Sequence, residues 1–383
     1  MENLKIGVQN NMKSKQPTKV LVITNMYPSE KAPSFGVFIK NQVEEIRNRG
    51  FSVDVIGIKD YRMGRLFTIK KYLTWIMKIL SKLMRWKKYD IIHCHYVFPS
   101  GLFGLMFKKV YGAKVIVTAH GGDIDKMARK NKFIFNQTSK ILKNVDHIIA
   151  VGEKLKQDII SDFKIDENKI SVNNMGVNRA IFSPLPKDEA KKKINLSNKY
   201  KHILFVGNLI KAKGLEELIG AYKLLKDKYP EIQLHLIGEN KEPGFLAGLK
   251  EQIQRENIKD VHFYPPMDQR KLAIWLSAAD LFVLPSHMEG FGLSALEAMS
   301  CHTPVVGSDV GGLTYLLGSG AGWLVEPKSV ESLKEGIEKV LNDRELSETL
   351  VKNGEQRARS YNLNKQLDTL IQIYENILTE TKE

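Results

Sequence analysis

Short apolar runs alternate with longer amphipathic stretches along almost all of this 383-residue chain, and that alternation leaves few folds open. A strand, a covering helix and a second parallel strand close into one right-handed unit, so repeated units build doubly wound sheets with helices on both faces. Runs at Lys19 to Thr24, Ser52 to Ile58, Asp90 to His93, Val115 to Ala119 and Val145 to Val151 read as the strands of a first sheet. A helix is expected at Gly36 to Asn48. A second sheet starts at His202 to Val206 and continues through Leu234 to Ile237, Val261 to Phe263, Leu281 to Leu284 and Pro304 to Gly307. Between them Asn178 to Tyr200, with two prolines and Lys191-Lys192-Lys193, reads as a linker with a short helix. The chain is long for one core. Two α/β domains are therefore expected, 1–190 and 191–362, followed by a helical segment from Asn364 to Leu378.

Two cysteines far apart, Cys94 and Cys301, offer no disulfide framework, which fits a reducing compartment. No apolar stretch reaches membrane-spanning length, and residues 1–18 are too polar for a signal peptide, so a cytoplasmic protein is expected. The charge is uneven: 33 Lys and Arg against 17 Asp and Glu in residues 1–190, but 25 against 26 from there on. Residues 59–88 carry ten basic residues and one acid, Asp60. Apolar residues at 69, 72, 73, 76, 79, 80 and 83 follow helical spacing, and Trp75 and Trp86 join them. A basic amphipathic helix over 67–86 suits an anionic membrane surface, and equally suits an ordinary surface helix whose stripe packs inward. No nucleic-acid motif accompanies the charge, so a nucleic-acid partner is not expected.

The segment Pro285 to Met299 holds the chemistry. After the apolar run Leu281 to Leu284, Glu289, Gly290, Phe291 and Gly292 form a loop, and a helix starts near Leu293. Free amides in the first turn of that helix suit a phosphate or diphosphate. Glu289 would repel phosphate but accepts hydrogen bonds from vicinal sugar hydroxyls, and Glu297, about one turn into the helix, suits a ribose. Both glutamates also fit a plain reading as helix-end charges.

The spacing from Glu289 to Glu297 with Gly-Phe-Gly inside, then Ala298 to Val306 and Asp309-Val310-Gly311-Gly312, resembles the retaining family 4 glycosyltransferases of the GT-B fold. The resemblance runs from about Lys19 to the C-terminus and points to bacterial enzymes of capsule, exopolysaccharide or teichuronic acid synthesis. It implies two doubly wound Rossmann-like domains facing a cleft, the first binding the acceptor and the second the nucleotide-sugar, with the C-terminal helix 363–383 crossing back. A UDP-sugar is the expected donor and a saccharide or lipid-linked molecule the expected acceptor, for polysaccharide of the cell envelope. No cofactor and no metal are expected, and a peripheral seat on the inner face of the membrane is a further expectation. A nucleotide-sugar epimerase of the same fold and a non-catalytic nucleotide-sugar-binding scaffold are the alternatives.

Site residues follow from the same resemblance. His120, in Val117 to Asp123 at a strand end, corresponds to the family histidine that contacts the transferred sugar, and a general-base role is not required of it. Lys213, in the loop Val206 to Gly214, puts an ammonium on the leaving diphosphate. Asn208 stands where many relatives have arginine, and in Ser34-Phe35-Gly36, before the first helix, Phe35 stands where relatives commonly have glycine. Gly36, Gly238 and Met267 are expected beside the donor, and His95 and Asp123 beside the acceptor, with Phe98, Pro99 and Ser100 bordering it. His93-Cys94-His95 places two histidines on one strand face, but a zinc site needs further ligands that the chain does not space suitably.

Overall fold

A computed structural model describes residues 17–379 apart from 31, 33, 34, 61, 63, 86 and 87, so the expectations for the N-terminal tail, Ser34, Trp86 and 380–383 lie outside the described residues. The first sheet holds β1 (Lys19–Thr24), β2 (Ser52–Gly57), β3 (Ile91–His95), β4 (Lys114–Ala119), β5 (His147–Ala150) and β6 (Ile170–Val172). The second holds β7 (Lys201–Val206), β8 (Ile232–Ile237), β9 (Val261–Tyr264), β10 (Leu281–Leu284), β11 (Val305–Ser308) and β12 (Trp323–Val325). All pairings are parallel, in the orders β2-β1-β3-β4-β5-β6 and β12-β11-β10-β7-β8-β9. Two doubly wound units result, as the alternation predicts.

β6 and β12 had no counterpart among the expected strands. Each is only three residues long and closes one edge of its sheet, so neither offers the apolar run that marks the central strands. The central strands are buried on both faces: β1 reads Val20, Leu21, Val22 and Ile23, all at or near zero exposure.

The expected boundary at 190 falls inside the second unit. Phe182 already belongs to the second core, and the helix Lys187–Lys193 buries Ala190 and ties Lys191 to Asp280 at 3.1 Å. The prolines that suggested a linker, Pro184 and Pro186, precede this helix, and Lys191-Lys192-Lys193 stand on it. The chain crosses earlier, after β6, and returns after Ala358, because the helix Leu363–Thr379 buries Leu367, Leu370 and Tyr374 in the same cluster as Val20 and Ile39 of the first unit. The two crossings lie side by side: Val177 donates its N–H to Tyr361 and accepts from the N–H of Leu363, both at 2.9 Å.

In each sheet the chain departs in opposite directions from a central pair of strands, β1 with β3 and β7 with β10. Ligands of such sheets sit beyond the carboxyl ends at that reversal, because the loops there diverge and leave a crevice. Here the loops after β1, β3 and β4 face the loops after β7, β8 and β10.

Candidate active site

Between the two units lies a cleft of about 670 Å³. The loop after β1 and the first helix contribute Met26, Gly36 and Phe38, the loops after β7 and β8 contribute Asn208, Lys213 and Gly238, and the segment after β10 contributes Glu289, Leu293 and Glu297. Met267, after β9, closes one side.

Lys213 ends a short turn whose next residue, Gly214, has φ of 70° and lies so tightly on the β10 loop that a Cβ would stand 1.9 Å from the Pro285 carbonyl oxygen. Only glycine meets both demands. That contact lets the Lys213 Nζ reach Glu289 Oε2 at 2.5 Å, with Ser286 Oγ donating to the same oxygen at 3.4 Å. The Glu289 backbone is fixed from the other side, where its carbonyl accepts the Gly312 N–H at 2.9 Å. A cation and a carboxylate thus meet at the cleft wall.

The helix Leu293–Ser300 starts from Gly292 at φ of 94°, and its first-turn residues Leu293 and Ser294 line the cleft. Glu297 lies further along it and is 8% exposed, with no hydrogen-bond partner for its side chain among the described residues. Burial pushes its carboxyl pKa up to about 8. A buried carboxyl that faces a cleft without a partner is prepared to receive donors such as ribose hydroxyls.

Beside Tyr96 and Phe38, which line the cleft from the first unit, the His120 ring lies 4.5 Å from the Tyr96 ring and 5.3 Å from the Phe38 ring, and its Nε2 meets His95 Nδ1 at 3.1 Å. Burial lowers the His120 pKa to about 3, so the ring is neutral at ordinary pH. Tyr96, which sequence reasoning did not single out, lines the cleft, holds a left-handed backbone at φ of 66° and donates its hydroxyl to Met26 Sδ at 3.2 Å. Its signal was slight, a tyrosine next to the flagged His95.

Four expected contacts lie away from the cleft lining. His95 is fully buried behind His120, so it orients that ring instead of meeting an acceptor. Asp123 is 4% exposed and accepts the N–H groups of Val97 and His120, both at 2.9 Å, so it pins the β3 and β4 loops together. Phe291 packs edge-on to Tyr361 at 5.4 Å and against both cores, which makes it a wedge between the units rather than a wall of the donor cleft. Ser100, expected beside the acceptor, is fully buried. Gly290 does sit at the junction of the units, against Gly121 and the His120 backbone.

Both nitrogens of His93 are engaged, by the Tyr374 hydroxyl at 2.6 Å and Thr118 Oγ1 at 2.7 Å. Among the described residues no group of three His, Cys, Asp or Glu is arranged to hold a metal ion, and no helix is long and apolar enough to cross a membrane.

A two-domain α/β fold with a cation, carboxylates and a helix N-terminus gathered at one interdomain cleft defines a group-transfer architecture of the GT-B class. Residues 19–180 match the family model described as Glycosyltransferase Family 4, and residues 186–357 match Glycosyl transferases group 1. The chain belongs to this glycosyltransferase family. It is 26% identical over 362 residues to a Bacillus subtilis protein that carries the name teichuronic acid biosynthesis glycosyltransferase TuaC, covering 83% of this chain and 88% of that one. It is 30% identical over 277 residues to a D-inositol 3-phosphate glycosyltransferase of Pseudarthrobacter chlorophenolicus, covering 67% of this chain and 63% of that one. Among solved structures, sucrose-phosphate synthase from Thermosynechococcus elongatus shares the fold with a TM-score of 0.80 at 22% identity, over 95% of this chain and all of that one. Anabaena HepE in complex with UDP and glucose does so with 0.77 at 17% identity, over 94% of this chain and all of that one.

Proposed function

We propose that the protein transfers a sugar from a nucleotide-sugar, UDP-linked, to a saccharide or lipid-linked acceptor with retention at the anomeric carbon, in the cytoplasmic synthesis of cell-surface polysaccharide. The observation that carries this reading is the Lys213–Glu289 pair on the wall of a cleft shared by both units. The solved likeness to HepE, bound to UDP and glucose, supports the donor class, and the name of TuaC supports the polysaccharide role.

In this reading the nucleotide lies along the second unit with its ribose hydroxyls donating to Glu297 and its diphosphate at the first turn of the Leu293–Ser300 helix. As the bond between the anomeric carbon and the phosphate oxygen breaks, its electron pair leaves with the diphosphate. Lys213 and the helix amides offset that growing charge. Glu289 holds the sugar by its hydroxyls, and the neutral His120 ring borders it from the first unit. The acceptor oxygen attacks the same face, and its proton passes to the departing phosphate oxygen. No protein group needs to carry a proton at neutral pH, which suits a His120 whose pKa is about 3.

A thermal-shift panel of UDP, GDP and ADP, free and sugar-linked, tests the reading. A ligand at a hundredfold over its Kd adds about 2.7 kcal/mol of stability. Selective stabilisation by the UDP series is expected; no shift with any nucleotide overturns the donor site, and a shift with another base corrects the nucleotide.

A further inference from the structure

The helix Arg65–Met84 packs through one stripe and leaves another uncovered. Trp75 and Ile79 are buried, and Tyr72, Ile76 and Leu83 pack beside them on the first core. Trp75 donates its indole N–H to the Ile56 carbonyl and meets the Phe103 ring edge-on at 5.3 Å. The inward stripe thus accounts for positions 72, 76, 79 and 83 of the helical spacing. It does not account for Leu66, Ile69, Leu73, Met77 and Met84, which are 50 to 82% exposed.

At 100° per residue these five fall within one sector of the helix, side by side along its outer face. Single exposed apolar side chains are common, whereas a continuous row of five is the mark of a surface that is covered in use. The row does not stand alone. The neighbouring helix Ser100–Tyr111, whose Tyr111 hydroxyl donates to the Leu83 carbonyl, exposes Met106 and Val110 as well.

Charge tells which partner covers it. Lys70, Lys78, Arg65 and Arg85 are exposed on the same element. The one acid within 59–88, Asp60, is taken by Arg62 through two hydrogen bonds of 2.9 and 2.7 Å. An apolar row flanked by unneutralised cations is complementary to acyl chains beneath anionic headgroups, and gains from both burial and charge. A nucleic acid would use the cations and leave the apolar row wet. A second copy would set this cationic surface against an equal charge.

We infer that the outer face of the Arg65–Met84 helix docks on an anionic lipid bilayer.

Cosedimentation of the full chain with vesicles tests this. Wild type is expected to sediment with vesicles of phosphatidylcholine and phosphatidylglycerol, far less with phosphatidylcholine alone, and less again in high salt. Leu73→Glu with Met77→Glu is expected to cut binding at least about tenfold, since each glutamate replaces an inserting apolar group by a charge. Both positions are exposed, so melting temperature and nucleotide-induced shift should match wild type and separate lost docking from lost folding. Three results overturn the inference: no sedimentation with any vesicle, wild-type binding by the double variant, or a dimer that the double variant dissolves. Preferential binding of an RNA oligonucleotide over the anionic vesicles also overturns it. The assay uses no sugar transfer, so its failure leaves the donor-site reading standing.

Discussion

Gly290 of the second unit lies against the backbone of His120 of the first, so closely that a Cβ there would stand 2.6 Å from the His120 carbonyl oxygen. The two loops that approach one reaction centre are thereby held at a distance no side chain permits. Gly290→Ala is expected to push the units apart at this point and lower transfer by about a hundredfold, the usual effect of misplacing reacting groups by an ångström. UDP binding, which the proposed function assigns to the second unit, should change little. Steady-state kinetics beside calorimetric UDP titration check this; equal losses in both would contradict it.

Lys213 and Glu289 form an ion pair on the cleft wall. A diphosphate must share or take over the ammonium, so the carboxylate competes with it. Glu289→Ala is expected to leave UDP affinity unchanged or improved while transfer falls steeply. Lys213→Ala should weaken UDP binding and slow transfer by about a hundredfold or more. Titration calorimetry with kinetics on both variants separates the roles, and a parallel fall in UDP affinity for Glu289→Ala would refute the competition.

Glu297 provides a pH signature. Its folded pKa of about 8 stands above the ordinary 4.5, so the folded state holds a proton that the unfolded state has released. Its contribution is fully present below about pH 4.5 and is lost as pH rises through 8. Glu297→Gln is expected to flatten the fall of melting temperature between pH 5 and 8, by on the order of a few kcal/mol of stability. It should also weaken UDP binding above about pH 8, where an amide NH2 replaces one of the two carboxylate oxygens offered to the ribose.

The acid side belongs to His93, held between Tyr374 and Thr118 with a pKa lowered to about 3 by burial. The unfolded chain binds a proton here below about pH 6.5 and the folded chain does not, so stability is present above that value and lost as pH falls toward 3. Tyr374→Phe removes one partner and leaves a buried ring nitrogen unpaired, a cost of about 1–3 kcal/mol. Urea unfolding at pH 7.5 measures it. Because Tyr374 sits on the C-terminal helix, hydrogen exchange should quicken in Leu363–Thr379 more than in β8.

The central strands, the loop at Glu289 and the helix start at Leu293 were legible because each rests on local pattern: apolar runs, glycines and a carboxylate beside them. Edge strands were not, since Ile170–Val172 and Trp323–Val325 are too short to carry a period. Nor were the roles of His95 and Asp123. A residue at a strand end points either into the cleft or back into the loop beneath it, and the choice depends on the neighbouring strand. His95 turns toward His120, and Asp123 turns toward two backbone amides, because β3 and β4 lie side by side. Lys191 misled for a related reason, as its partner Asp280 is distant in sequence.

The two crossings between the units, laced together at Val177, Tyr361 and Leu363, have a mechanical meaning. A single tether would let one lobe swivel about the other and meet it in many attitudes. Two chains bonded side by side behave as a flat strap: they flex across their width and resist torsion. Any opening or shutting of the cleft is thus confined to one arc, and the groups of one lobe return to the same points on the other at every turnover.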